Sequence, residues 1–269
     1  MPVSVLRLYR AIKRRLLRAQ DDKEKSSKIA IDNRILLGTH HKTGTVWMAS
    51  VFGSVSKKTG LNFYKGGKEN LPERFDIWHE DHSRFGNYLS NDDYQGLHII
   101  RDPRDVIVSA CFYHQKSDEP LLHVPRDEFG GLTYQQKLCS LGNIDEQLLF
   151  EMKYSAGANI RDMVEWDYSN PNFMNIKYED LLADTHLLLF HRIFSFLGFP
   201  AEALPVALRA AYDNSLFSGK VFSAHVQSGQ TARWKRYFKP VHKERFHELF
   251  GDTLIKLGYE ASSDWPLGY

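Results

Sequence analysis

The sequence is poor in cysteine, in net charge and in long apolar runs. Cys111 and Cys139 are its only cysteines among 269 residues. One possible bridge is no disulfide framework, so a reducing compartment, the cytoplasm, is expected. With no C-x-x-C spacing, two thiols make no structural zinc site without histidine help. The 35 basic residues against 33 acidic ones leave a net charge of +2. A general nucleic-acid binder carries a clear basic excess, so that class is set aside and any anion site must be local. The apolar stretches fall short of a membrane span. Arg7 and Arg10 interrupt the first of them, which removes the core of a signal peptide. What remains, 42% hydrophobic and 25% charged residues, is ordinary for a globular protein.

Residues 1–28 read as a basic amphipathic helix followed by a polar linker. Val5, Leu8, Ile12 and Leu16 share one face at helical spacing. Packing on the domain is the expectation for this face, with weak contact to a membrane surface as the alternative. Residues 29–269 read as one domain. Arg34–Gly38 is a short apolar run suited to a buried parallel strand, Thr39–Gly44 a turn, and a helix starts at Thr45. A second run, Gly96–Ile100, ends at Arg101, and Asp102-Pro103 opens another helix. A third, Phe173–Tyr178, ends before Glu179-Asp180. Residues 144–169 and 184–212 read as mainly helical, and 115–142 as containing a mobile loop. This order implies an α/β protein: a P-loop-like three-layer fold with a central, mostly parallel sheet flanked by helices. Ligands then bind at the carboxyl ends of the strands. Those ends carry Lys42, Thr43, Gly44 and Thr45, then Arg101, then Tyr178 and Glu179.

The turn from Gly38 to Trp47 has the makings of an anion cradle. A helix start offers unpaired N–H groups and a positive dipole end. Gly44 admits close approach, Thr43 and Thr45 add hydroxyls, and Lys42 adds charge. A Walker A loop has its Lys after the last Gly, followed by Ser or Thr for magnesium. Here Lys42 precedes Gly44, Thr45 takes the Walker Lys position, and the second strand ends in Arg101. A guanidinium binds phosphate directly and ligates no metal. A solvated surface turn is the plain alternative for the loop alone, and Arg101 on a second strand end argues against it.

In these segments the chain resembles the sulfotransferase superfamily. Lys42-Thr-Gly-Thr-Val-Trp47 is similar to its 5′-phosphosulfate loop, K-[ST]-G-T-T-W. Arg101 and Ser109, eight positions apart, resemble its 3′-phosphate motif. Tyr178-Glu-Asp180 is similar to the family's Y-E-D near the adenine, and Ser215-Leu-Phe217 to its T-x-F element. Gly229 to Trp234-Lys235 keeps the spacing of the C-terminal nucleotide loop. The resemblance implies that Lys42, Thr43, Gly44, Thr45, Val46, Trp47, Arg101, Ser109, Tyr178, Ser215, Phe217, Gln227, Ser228 and Gly229 bind the donor, 3′-phosphoadenosine 5′-phosphosulfate (PAPS). The product would be adenosine 3′,5′-bisphosphate (PAP), and no metal would be needed. For Trp47, core packing and adenine stacking weigh equally. Cytosolic members carry Arg-Lys where this chain has Gln227-Ser228, which throws 3′-phosphate binding onto Arg101, Ser109 and Arg233. The family's dimer motif keeps its ends, Lys235 and Glu244, but not its centre.

The implied chemistry is in-line transfer of a sulfuryl group to a hydroxyl or amine of a small-molecule or carbohydrate acceptor. Lys42 neutralises the moving charge. A base must take the acceptor proton. In relatives a His lies about twenty residues before the 3′-phosphate Arg. His79 stands 22 positions before Arg101 and His82 stands 19 before it. An imidazole titrates in the right range. His79 is preferred, then His82, then Glu80. The alternatives are a non-catalytic nucleotide-binding relative and a P-loop kinase-like phosphotransferase.

Overall fold

The computed structural model describes residues 28–91, 93–215, 218–219 and 230–268. The N-terminal helix expected over 1–28 lies outside them except for Lys28, as do Phe217, Gln227, Ser228 and Gly229. Five strands form one sheet, parallel throughout: β1 (Arg34–Gly38), β2 (Phe63–Lys65), β3 (Ile77–Glu80), β4 (Tyr94–Ile100) and β5 (Phe173–Lys177), in the order β2-β3-β1-β4-β5. The chain builds outward from β1 to one side, returns, and builds to the other. Strand order therefore reverses beside β1, where such sheets open a binding crevice.

Alternation along β1 divides the core. Ile35 and Leu37 face a layer that includes α1 (Thr45–Thr59), α7 (Leu188–Phe196) and α8 (Leu204–Asp213). Leu36 faces the other side with Trp78, Tyr94, Phe85 and Phe173. A further cluster on α2 (Pro103–His114), α3 (Tyr134–Ser140), α4 (Ile144–Glu151) and α5 (Gly157–Glu165) continues to the C-terminal helices α9 (Trp234–Tyr237), α10 (Pro240–Phe250) and α11 (Thr253–Lys256). A short helix, α6 (Tyr178–Ala183), follows β5 directly. Among the described residues no helix is long and apolar enough to cross a membrane.

Two local features stand out. The segment 115–142, expected to hold a mobile loop, is held by 3₁₀ turns and by α3. Thr133 and Gln136 close a reciprocal capping box at the start of α3. Between α4 and α5 the helix widens into a π turn over Met152–Ala156, directly after Glu151. Cys111 is buried and Cys139 exposed, and both are free.

Candidate active site

The loop after β1 is built by its own side chains. The Thr43 hydroxyl accepts the His40 N–H at 2.8 Å and donates to the His40 carbonyl at 3.0 Å. The Thr45 hydroxyl lies 3.0 Å from both the His40 carbonyl and Thr39 Oγ1. Both hydroxyls read from sequence as anion ligands are thus engaged in shaping the turn. What the turn presents is backbone. Lys42 has φ 69° and Gly44 φ 103°, both left-handed, the kind of backbone in which anion nests form, although the Thr43 N–H between them already donates to the His40 carbonyl at 3.0 Å. A Cβ on Gly44 would stand 3.0 Å from the Tyr178 ring, so the close approach requires glycine. No side chain caps the start of α1 and no acidic residue occupies its first turn. Its free N–H groups fit the phosphate end of a donor nucleotide.

Positive φ at a β-unbranched lysine carries strain, and such strain concentrates at functional sites. Of the four non-glycine residues with positive φ among the described residues, three lie at or beside residues expected at the site: Lys42, Ser83 beside His82, and Ala232 beside Arg233. Arg101 holds Lys42 in place by donating from its guanidinium to the Lys42 carbonyl at 3.0 Å. The same guanidinium lies over the Tyr178 ring at 4.6 Å and 3.7 Å from Asp105 Oδ2. Asp105, one turn on along the chain, accepts the Trp234 N–H at 2.9 Å and so ties the start of α9 to Arg101. Burial raises its carboxyl pKa, and Arg101 opposes the rise.

Lys42 rests its ammonium 3.7 Å from the centre of the Tyr113 ring. Burial, and then the nearby Arg101, lower its pKa to about 8; Glu119 and Glu151 pull the other way. His41 stacks on His114, ring centres 5.2 Å apart and nearly parallel. Burial, then His114 and Lys42, lower His41 to about 3.

The remaining expected residues divide. Tyr178 and Ser109 are 8% exposed beside Arg101's helix and strand. Ser109 lies midway along α2, which begins at Pro103. Trp47 packs edge-on against Tyr178 and Phe190 in the core. Val46 is exposed on the first turn of α1. Ser215 is buried and donates to the Tyr212 carbonyl at 2.7 Å. His79 lies inside β3 at 0% exposure, with Nε2 3.0 Å from Thr39 Oγ1, and burial lowers it to about 3. Thr39 in turn meets Thr45, so His79 braces the cradle from behind. His82 stands past the end of β3 with 45% of its side chain exposed. Glu80 accepts the backbone N–H groups of His82 and Arg84, at 2.9 and 2.6 Å, and shapes that turn.

Sequence reading missed Asp105, Tyr113, His114 and Glu151. For Asp105 a signal existed in its i+4 spacing from Arg101. Tyr113 and His114 are neighbours on α2 and meet Lys42, His41 and Glu151 through packing across long separations, which no local spacing encodes.

Comparison with known proteins gives the family and the fold. The sulfotransferase domain family matches residues 69–258, which take in Arg101, Ser109 and Tyr178 but begin after the Lys42 loop. Sulfotransferase 2A2 of Rattus norvegicus is 26% identical, covering 83% of this chain and 84% of its own. In fold, the chain is similar to mouse sulfotransferase SULT7A1 complexed with PAP, at TM-score 0.55 and 19% identity over 84% of this chain and 85% of that one. It is also similar to retinol dehydratase in a complex with retinol and PAP, at TM-score 0.53 and 14% identity over 88% and 84% of the two chains. The family match spans most of the sequence and both faces of the sheet, and the chain belongs to the sulfotransferase domain family.

Proposed function

We propose that this protein transfers a sulfuryl group in line from PAPS to a hydroxyl or amine of a small-molecule or carbohydrate acceptor, without a metal ion. The observation that carries this is the left-handed Lys42–Gly44 turn at an uncapped helix start, gripped from below by Arg101. Support comes from fold neighbours whose structures hold PAP, one of them together with androsterone and another with retinol. The acceptor oxygen or nitrogen attacks sulfur while the bond to the 5′-phosphate breaks. Lys42 and the loop N–H groups meet the charge that moves onto that phosphate. Arg101 and Ser109 serve the 3′-phosphate, and Tyr178 packs toward the adenine. The acceptor proton passes to a histidine on the rim. Of the two expected from sequence, His82 is within a substrate's reach and His79 is closed off. The unbridged thiols suit a cytoplasmic setting.

Titration calorimetry with PAP in the presence of a chelator tests the donor site. Saturable binding is expected, and its absence would reject the reading. Labelled PAPS offered with 2-naphthol, cyclohexanol, cyclohexylamine and glucose then tests transfer. Donor binding with no transfer to any acceptor would favour a non-catalytic module. ATP turnover that needs magnesium would favour the kinase-like reading.

A further inference from the structure

The segment that follows α11 is tethered at points with one property in common. Tyr259 donates from its hydroxyl to Glu179 Oε2 at 3.0 Å, and the other oxygen of Glu179 accepts the Asp102 N–H at 3.1 Å. Lys177 donates to the Gly258 carbonyl and lies over the Tyr259 ring at 4.2 Å. Glu260 accepts from Arg104 at 2.6 Å, and Arg104 holds the Asp102 carboxylate by two further bonds, at 3.0 and 2.7 Å. The Arg104 guanidinium stands 3.7 Å from the centre of the Trp234 ring and 4.7 Å from that of Trp265. These tethers end one residue from groups expected at the donor: Glu179 beside Tyr178, Asp102 beside Arg101, Trp234 beside Arg233.

A tail that only sealed the core would need Trp265 and little else. That ring is buried among Trp234, Phe238 and Phe246, while residues 261–264 and Pro266 on either side of it are exposed. Lys243 on α10 fastens it by donating to the Trp265 carbonyl at 2.7 Å. Sealing does not account for Arg104. A guanidinium with 2% of its side chain exposed is costly unless it is paired, and two carboxylates and two rings pair it here. One of those carboxylates, Asp102, also caps α2 by accepting the Arg104 N–H, so the cluster sits at the turn that aims Arg101. Glu179 is bonded through both oxygens, which fixes the end of β5 against the end of β4. Between those two ends the Arg101 guanidinium lies over the Tyr178 ring. The family match ends at residue 258, so Tyr259, Glu260 and Trp265 lie beyond it.

Resting on the sulfotransfer reading above, we infer that residues 259–265 form a strap that positions the donor site. Tyr259 acts through Glu179, and Glu260 acts through Arg104 and Asp102. Together they hold Arg101 and Tyr178 at the separation the nucleotide needs. Trp265 acts through Arg104 and Trp234 and holds the start of α9, beside Arg233. All three are positioning residues. Their effect falls on donor affinity, because groups already in place lose less freedom when the nucleotide binds. Transfer depends on Lys42 and on the base, and none of these tethers runs to either.

The experiment compares Y259F, E260A and E260Q with the wild type, each well below its melting temperature. Y259F removes a hydroxyl and keeps the ring, and E260Q keeps an oxygen for Arg104. Calorimetry gives PAP affinity. Steady-state transfer from PAPS to whichever compound of the panel above turns over fastest gives kcat and the KM for PAPS. In Y259F and E260A, the PAP Kd and the PAPS KM should both rise about 3–10-fold, with kcat at saturating PAPS kept within about twofold. E260Q should recover most of the loss. A tail that merely sealed the core would lower Tm and leave Kd and KM where they were. PAP affinity unchanged in Y259F or in E260A, or kcat lost with affinity kept, would overturn the inference. If either variant fails to fold, hydrogen exchange of the wild type decides. Coupling is reciprocal, so bound PAP should slow exchange over residues 258–265, and unchanged exchange there overturns the inference. A wild type that binds no PAP would bring down the sulfotransfer reading itself, whereas variants that bind PAP as well as a binding wild type bring down the strap alone.

Discussion

Lys42 concentrates the site's physics in one residue. Its backbone is left-handed, Arg101 pins its carbonyl, and Tyr113 parks its ammonium. Removing the charge in K42M should lower kcat by about 10²–10³-fold, as when one donor to a developing anion is lost. Its depressed pKa adds a pH signature. The ammonium is charged below about pH 8 and neutral above it, so kcat/KM for the donor should decline as pH rises through about 8. K42R stays charged and should remove that basic limb even if turnover is poor. A wild-type profile flat to pH 9.5 would contradict the assignment. Lys42 was legible in the sequence because a cation, two hydroxyls and a glycine lie between an apolar run and a helix pattern. The roles of the hydroxyls were not legible. Thr43 and Thr45 bond backward into the turn, and residue type does not reveal which way a short hydroxyl faces.

Among the elements, β1, β4 and β5 could be read from apolar runs, and β2 and β3 could not. β2 is three residues long, and β3 is Ile-Trp-His-Glu, whose polar half is buried as fully as its apolar half. Burial of His79 and Glu80 follows from their place between β1 and β2, a tertiary fact. The α3 capping box was present in the sequence as Thr133 and Gln136, but it stood in a stretch rich in Gly and Pro. The contact between β4 and β5 shows how closely these strands are fitted. Gly96 lies opposite Phe173, whose ring fills the space a side chain would take. G96A should destabilise the protein by about 1–3 kcal/mol through overpacking, as measured by urea denaturation. Adding F173L to G96A should recover part of the loss. Equal stability of G96A and wild type would show that the strands slide apart freely, contrary to this packing.

On the scale of the whole molecule, buried histidines tie the sheet to the site. His98 Nδ1 lies 3.0 Å from Asn175 Oδ1, which also accepts Trp166 Nε1–H at 3.0 Å. The amide oxygen can only accept, so His98 donates from Nδ1 and its Nε2 must accept. His40 Nε2, 2.9 Å away, is therefore the donor. The chain of bonds cannot survive with both rings charged, because the two facing Nε2 atoms would then both be donors. Burial lowers His98 to about 3, and burial followed by His98 lowers His40 well below 6.5; His79 is likewise lowered to about 3. Above pH 6.5 these rings are neutral whether the chain is folded or not, and stability does not respond to them. Below 6.5 the unfolded chain takes up protons that the folded rings refuse, so stability falls as pH drops toward 3. Each refused proton weakens the fold by on the order of 1 kcal/mol per pH unit. Thermal melts should show Tm declining between pH 7 and pH 5, while H40N/H98N, unable to take up those two protons in either state, should decline less steeply. A wild-type Tm constant over that range would mean that the rings accept protons in place, and the neutral chain from Asn175 to the β1 loop would have to be abandoned. The cradle would then rest on Arg101 and the Thr43 turn alone, and acid would impair donor binding before it unfolded the sheet.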